Sequence, residues 1–434
     1  MDTAPFNTRS GFAHKRLSDG PTFTAGTACA FSCRYCYVES QVFKQAGIRA
    51  FLAETNSDFD RLVIRRRQPV PQLARALSRR SRRGDPGPTC EELLPASLRE
   101  RWQLSGPWSL AGRVPRYLGP EFAHQVVFGS PLVDVAATAE LARETVVLCE
   151  MLLRLTSYDL RLLSKSPLLA SIVARELDTR LPGIAKARTI FGFSTGTLDD
   201  AVAPAIEPVP LPSQRLAALH QLQATGFRTY GMLCPILPQE DPQAFARRAM
   251  AAIQAEQCEE IWAEPVNFRG TKAETETGEC NGEARRQRNS FQATLRGLQR
   301  GGHTAVAARF QQVAADSTAW ETYCRETFEA CAAAAPRRAD GSTKLRWMQY
   351  PRNYQSIDQY WQGAVAQGAL LLGPIVSGYR KAQLRKQAGC NHPKPQARPR
   401  GKESGSIGRG PRPSHRPVSK QTAKTQHLSS AEAR

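Results

Sequence analysis

The stretch Thr27-Ala28-Cys29-Ala30-Phe31-Ser32-Cys33-Arg34-Tyr35-Cys36-Tyr37 decides how the chain is read, because it sets three thiols within eight residues in the spacing C-x3-C-x2-C. A [4Fe–4S] cluster is ordinarily held by four cysteine thiolates. This loop offers three, with no fourth nearby, which leaves one iron open to another ligand. Two plainer readings stand beside it. A structural zinc site needs four closed ligands, usually in two paired half-sites, and no second half-site follows. Three unrelated buried thiols are inert and have no reason to share this spacing.

The sequence on either side sets the scale. At 434 residues, 41% of them apolar, the chain is long enough for one α/β domain of about 250 residues with appendages. No run of 18 apolar residues and no basic-then-apolar leader is present, so a cytoplasmic protein without a membrane span is expected. Eleven cysteines without a disulfide-scaffold pattern agree with a reducing compartment. The formal charge of +20 is unevenly spread. Lys381 to Arg434 carries 6 Lys and 7 Arg against 2 Glu, and a second basic run, Arg61 to Arg83, includes Arg65-Arg66-Arg67 and Arg79-Arg80-Ser81-Arg82-Arg83. Such runs attract DNA or RNA backbones through counterion release; the plainer alternative is a solvated segment with no partner.

Patterning then orders the chain. Residues 1–21 read as an irregular lead-in and Thr22 to Gly26 as a first strand that delivers the cysteine loop at its C-terminal end, where a β/α barrel keeps its chemistry. A helix is expected from Val38 to about Phe51. Residues 52–120 read as an Arg-rich insertion, with one short basic helix at Gln72 to Arg83. Short β-branched runs at 124–129, 160–163, 189–194, 228–233 and 260–264 then alternate with helices over 137–155, from Ser166-Pro167 to Leu177, 212–226 and 241–257. Strands and helices in that order mean βα units on a parallel sheet, and six units predict a partial (β/α)6 barrel over 22–270. Residues 271–378 read as a helical accessory region, with helices over 291–298 and 305–335. Within it Trp347, Tyr350, Tyr354, Tyr360 and Trp361 interleave with Arg346 and Arg352, as either a base-stacking platform or the core of a small domain. Residues 379–434 read as a disordered basic tail.

The cysteine spacing, with Tyr35 just before the third thiol, resembles the cluster loop of radical S-adenosylmethionine (SAM) enzymes. Across 22–270 the chain is similar to the branch containing spore photoproduct lyase. The resemblance rests on Gly129-Ser130-Pro131 with Asp134, Ser164-Lys165-Ser166, Gly192-Phe193-Ser194-Thr195, Glu207-Pro208, Arg215-Leu216 and Cys234-Pro235-Ile236-Leu237-Pro238. It implies a TIM-like radical SAM barrel in which Cys29, Cys33 and Cys36 bind [4Fe–4S] and SAM caps the open iron. An electron from the cluster then breaks a C–S bond to release a 5′-deoxyadenosyl radical, so a donor such as flavodoxin or ferredoxin is implied.

Tyr35, Ser130, Lys165 and Ser194 fall where the resemblance puts SAM. Ser130 would serve the amino group, Lys165 the carboxylate, and Ser194 the ribose or carboxylate; the plain alternatives are a cap lysine and a strand-end serine. Cys234, at the mouth of the fifth strand, is a candidate hydrogen-atom donor or a small core residue. Asp134 reads as the N-cap of the helix at Ala137. Glu207 either orients substrate or is structural, Cys149 is core, and His220 is a packing or surface residue. Spore photoproduct lyases carry a donor cysteine at the end of the second strand, and His124 to Asp134 holds none. The cofactor chemistry therefore transfers, and thymine-dimer repair does not. The substrate is a nucleic acid or, alternatively, a peptide or small molecule. A non-catalytic nucleic-acid-binding protein with a structural metal is the third possibility.

Overall fold

The short apolar runs separated by amphipathic segments assemble into one parallel sheet backed by helices. A computed structural model describes residues 5–10, 15–36, 38, 46–57, 62–266, 290–315, 317–349 and 359–371, all within the compact unit 1–383. Its principal sheet has nine strands. β1 (Phe6–Asn7) pairs antiparallel with β2 (Thr22–Phe23) at one edge. From β2 the order runs through β7 (Val126–Gly129), β8 (Asp159–Ser164), β9 (Thr189–Ser194), β10 (Arg228–Ile236), β11 (Cys258–Pro265), β12 (Leu345–Gln349) and β13 (Ala369–Leu371), all parallel. Sequence-adjacent strands are therefore neighbours in space, the arrangement that successive right-handed βα units produce.

The expected count of six parallel strands was two short. Leu345–Gln349 and Ala369–Leu371 extend the sheet beyond β11 from the region read as helical. Two of the aromatic residues there are core: Trp347 and Trp361 are wholly buried, and both pack against Phe328. Tyr350, Arg352 and Tyr354 lie outside the described residues, as does the tail 379–434.

The two faces of the sheet bury different things. Val127, Leu160, Leu162, Phe191, Phe193, Leu233, Ile261 and Ala263 join the main core with the helices. The alternate positions, Phe128, Ile190, Tyr230, Met232, Trp262 and Met348, form a second cluster around Leu17. A strand period of two sorts them in this way. Within that second layer Arg161 lies over the rings of Tyr230 and Trp262 at 5.4 and 5.6 Å, pairs with Glu260 at 3.2 Å, and donates to the carbonyls of Arg16 and Leu17. The lead-in thus plugs the inner face of the sheet.

Several local expectations shift. The helix expected from Ala137 spans Ala139–Leu155, with Thr138 as its N-cap accepting from Leu141 N–H; Asp134 is occupied elsewhere. The segment after Pro167 winds as a π-helix over Leu169–Ala174 and continues as an α-helix over Arg175–Arg180. The single helix 305–335 is two, Thr304–Ala315 and Ser317–Ala334. The helix expected at Val38 to Phe51 is described as Ala46–Glu54, and residues 39–45 lie outside the described set.

The insertion is built. Its strand β4 (Ile64–Arg65) pairs with β3 (Gly26–Thr27), the lead into the cysteine loop. Pro69–Leu77 is a helix burying Leu73, Ala74 and Leu77, and β5 (Ser78–Arg80) and β6 (Arg113–Pro115) form a two-stranded antiparallel sheet after it. The expected basic helix to Arg83 therefore stops at Leu77.

Candidate active site

Each parallel strand ends on the same rim, and the cysteine loop sits over it. Ala28 N–H bonds Leu132 O, Arg34 N–H bonds Ile206 O at 2.8 Å, and Arg34 Nε bonds Ala205 O at 2.8 Å. The loop is thus stitched to the segments that follow β7 and β9. Gly297, in the helix Ser290–Arg300, completes the clamp: a Cβ there would come within 2.1 Å of Ala205 O and 2.6 Å of the Arg34 side chain.

Burial pushes the Cys29 and Cys33 thiols up to about 12, so they stay protonated unless a cation takes up the thiolate charge. Each also lies in the electrostatic field of a neighbouring thiol, Cys36 for Cys29 and Cys29 for Cys33. Among the described residues no three His, Cys, Asp or Glu side chains gather to hold a single metal ion, as a zinc ion with Zn–S bonds of about 2.3 Å requires. A cube-shaped cluster makes no such demand, since each cysteine ligates its own iron.

Glu207 is the hub of the rim. Its carboxylate accepts from the Tyr35 hydroxyl, pairs with Lys165 Nζ at 3.0 Å and with Arg215 Nη1 at 2.7 Å, and is 2% exposed. Burial raises its affinity for a proton, but the charges of Lys165 and Arg215, with hydrogen bonds from Tyr35 and Arg215, outweigh burial and hold it below the usual carboxylate range. Arg215, wholly buried, also donates to Ser194 O and Pro210 O at 2.8 and 2.7 Å. One carboxylate thus ties the residue between two cysteines to the ends of β8 and β9.

The site residues expected from sequence meet here. Lys165 Nζ donates to Ser194 Oγ at 2.9 Å, and Ser194 Oγ donates to Cys234 O at 2.6 Å. Lys165 also lies 5.6 Å from the centre of the Tyr35 ring. An ammonium has three donors; Glu207 and Ser194 take two. Ser130 stands on the other flank, its hydroxyl 2.6 Å from Thr24 Oγ1. Cys234 Sγ faces Glu264 at 3.4 Å, and Lys15 Nζ reaches the same carboxylate at 3.3 Å. Burial, and then Glu264, pushes this thiol well above its ordinary value. Asp134 bridges instead of capping: its carboxylate accepts from Ser164 Oγ at 2.6 Å and from the N–H groups of Lys165 and Ala136 at 2.7 and 2.9 Å, and burial holds it above its usual value.

Four buried polar atoms near these elements have no hydrogen-bond partner among the described residues: Thr27 Oγ1, Thr195 Oγ1, Thr197 Oγ1 and Arg215 Nη2. Orphaned groups of this kind are rare in a folded chain and want an explanation. A polar ligand with hydroxyl and carboxylate groups is one that suits hydroxyls and a guanidinium. The three thiols, the remaining Lys165 donor and these orphans fit a cluster with a zwitterionic nucleoside beside it. Lys15, Thr197 and Glu264 were missed from sequence, where they carry no motif, and Thr27 and Thr195 lie in the quoted stretches without having been singled out.

No protein-family model matches the chain, and no curated protein does. Among solved structures it is similar to spore photoproduct lyase in a cysteine-to-serine variant, with TM-score 0.37 and 15% identity over 62% of this chain and 61% of that one. Two further structures of that protein give TM-score 0.35 at 15% identity. One is a double variant with bound AdoMet and dinucleoside spore photoproduct, matched over 58% of each chain; the other is a complex with the dinucleoside, matched over 61% of this chain and 59% of that one. The likeness therefore spans less than two thirds of each.

Proposed function

We propose that the chain is a radical SAM enzyme in which Cys29, Cys33 and Cys36 hold a [4Fe–4S] cluster and the rim of Ser130, Lys165, Ser194, Thr195 and Thr197 receives SAM. When bound, this pair supplies reductive cleavage of SAM to a 5′-deoxyadenosyl radical able to take a hydrogen atom from a substrate, given an electron from a donor such as flavodoxin or ferredoxin. The chain's own residues position and bind. Glu207 fixes Tyr35, and with it the loop; Lys165, already held by Glu207 and Ser194, keeps one N–H for a carboxylate; Arg215 holds β9 against the 207–210 segment. Buried, paired charges of this kind do not reorganise when a ligand arrives.

The observation that carries the proposal is the three-thiol loop clamped by a buried Glu207 whose other partners are Lys165, just after β8, and Arg215 of the helix Pro212–Ala224. Anaerobic reconstitution with iron and sulfide tests it. The expected product is a brown protein with about four irons per chain that forms 5′-deoxyadenosine from SAM and dithionite. A colourless zinc protein that leaves SAM intact overturns it. Nucleic acid is the substrate class favoured by the +20 charge, and a base would have to be extruded to enter a barrel. Cys234 is the candidate hydrogen-atom donor, and a Cys234→Ala protein is expected to cleave SAM while losing coupled product.

A further inference from the structure

We propose that the two-stranded β5–β6 sheet, with the helix Pro69–Leu77 that leads into it, is a docking surface for the phosphate backbone of a nucleic acid, built apart from the cysteine loop. Residues 62–120 hold 12 Arg and no Lys against 4 acidic residues. Several of those arginines are spent on structure. Arg65 pairs with Glu144, Arg79 with Asp85 and Arg99 with Glu91, while Arg66 is buried with its Nε on Thr24 O.

Six others, Arg75, Arg80, Arg82, Arg83, Arg113 and Arg116, form no ion pair among the described residues, although Arg82 lies in the field of Asp85. Three of them are nonetheless held in place by neutral groups. Arg75 donates to Pro107 O at 2.7 Å and lies over the Trp108 ring at 5.7 Å. Arg113 donates to Ser78 Oγ and O at 2.8 and 3.1 Å, and Arg116 to Ser78 O at 2.9 Å. Their charges repel: burial first, and then Arg75, Arg116 and Arg80, hold Arg113 below the usual guanidinium value. Arg80, Arg82 and Arg83 are exposed at the end of β5, on a turn pinned by Asp85 accepting from Arg82 N–H. Asp85, paired with Arg79 and close to Arg82, balances only part of this charge, and the excess is stabilised by an external polyanion.

The surroundings choose among polyanions. The large hydrophobics exposed among the described residues are Phe51, Ile184 and Val365, none of them on this surface. A protein partner needs a desolvated apolar anchor, and a membrane-surface helix needs an apolar face to bury. A phosphodiester backbone needs neither, being met by arginine and backbone groups alone. The cluster is also rooted away from the rim. Tyr117, next to Arg116, bridges Thr156 just ahead of β8, while Lys165 stands at the other end of that strand.

The test is fluorescence polarisation of a random-sequence DNA duplex across a salt series, using the full chain, Arg80→Gln/Arg82→Gln/Arg83→Gln, and Arg99→Gln as a paired control. Arg80, Arg82 and Arg83 make no side-chain hydrogen bond among the described residues, so the triple variant is expected to fold, checked by its unfolding midpoint. Each phosphate that the protein no longer neutralises takes about 0.9 off the slope of log K against log salt. A slope shallower by about 2–3 is expected in the triple variant, and none of that change in Arg99→Gln. An unchanged slope overturns the proposal, as does loss of binding to phosphatidylserine vesicles or polyglutamate with duplex binding intact. SAM cleavage by the triple variant is expected to equal that of the parent, so failure of the SAM chemistry and failure of this surface are separate results.

Discussion

The rim and the arginine-rich β5–β6 sheet both carry many cations, and they use them in opposite ways. At the rim, Lys165 and Arg215 share one buried carboxylate, and neither charge is available to a distant partner. Along β5 and β6, six arginines form no ion pair among the described residues, and neutral groups hold three of them. Burial explains the contrast. A charge taken out of water must be paired or it destabilises the fold, whereas an exposed one keeps its hydration and its reach over about 10 Å at moderate salt. Pairing makes the rim a rigid receptor, and lack of pairing makes the β5–β6 sheet an attractor.

The largest effect lies at the rim. Cys33→Ala is expected to lose both the brown absorbance of the cluster and SAM cleavage, measured by iron content and 5′-deoxyadenosine yield. Cys149→Ala, at a thiol wholly buried in the helix core, should keep both. Activity surviving in Cys33→Ala would falsify the ligand assignment and remove the functional half of the contrast.

Glu207→Gln breaks the pairing itself. It leaves two cations buried with one neutral partner, and loss of one member of a buried pair costs about 3–5 kcal/mol, read from denaturant unfolding. The pH dependence gives a second measure. Because the folded protein holds Glu207 below its ordinary value, its contribution is fully present above the ordinary carboxylate pKa and is lost as pH falls through the lowered one. The parent should lose stability along that acid limb, and the variant should lose less. Equal acid limbs would show that the hub is not the source.

Gly196→Ala probes how closely the rim's backbone is drawn together. A Cβ at Gly196 would stand 2.2 Å from Pro235 O and 2.7 Å from the Cys234 carbonyl carbon, which cannot yield as a flexible side chain can. Overpacking of this kind costs about 1–3 kcal/mol. The loss should appear in the unfolding midpoint together with weaker SAM binding, since Ser194 Oγ reaches Cys234 O across the same gap.

What could be read from sequence at the rim was local. The cysteine spacing spans eight residues, and β7 to β11 each carry their own apolar run, so strand order followed from the alternation. The hub was not legible as a hub, because Tyr35 and Glu207 are 172 residues apart and no periodicity joins them. Asp134 and Thr138 are both good caps by residue type; the choice fell to Thr138 because Ser164 and Lys165 claim the aspartate. β12 was obscured by its own composition, Leu-Arg-Trp-Met-Gln, and β13 by having three residues. In the insertion the helix expected at Gln72 to Arg83 was legible, but the arginine run hid that it ends at Leu77 and gives way to a strand at Ser78. Charge counts showed the excess there but not which arginines were already paired.

That last distinction admits the finest test. Arg99 and Glu91 are paired at 2.9 Å with side chains 31% and 38% exposed, so solvent screens them and the pair is worth about 0–1 kcal/mol. Arg99→Gln should therefore change the unfolding free energy by no more than about 1 kcal/mol, and less still in high salt. A loss several times larger would mean that pairing on the β5–β6 side is structural in the way it is at the rim. Burial would then fail to separate the two regions, and the six arginines without ion pairs would need another account.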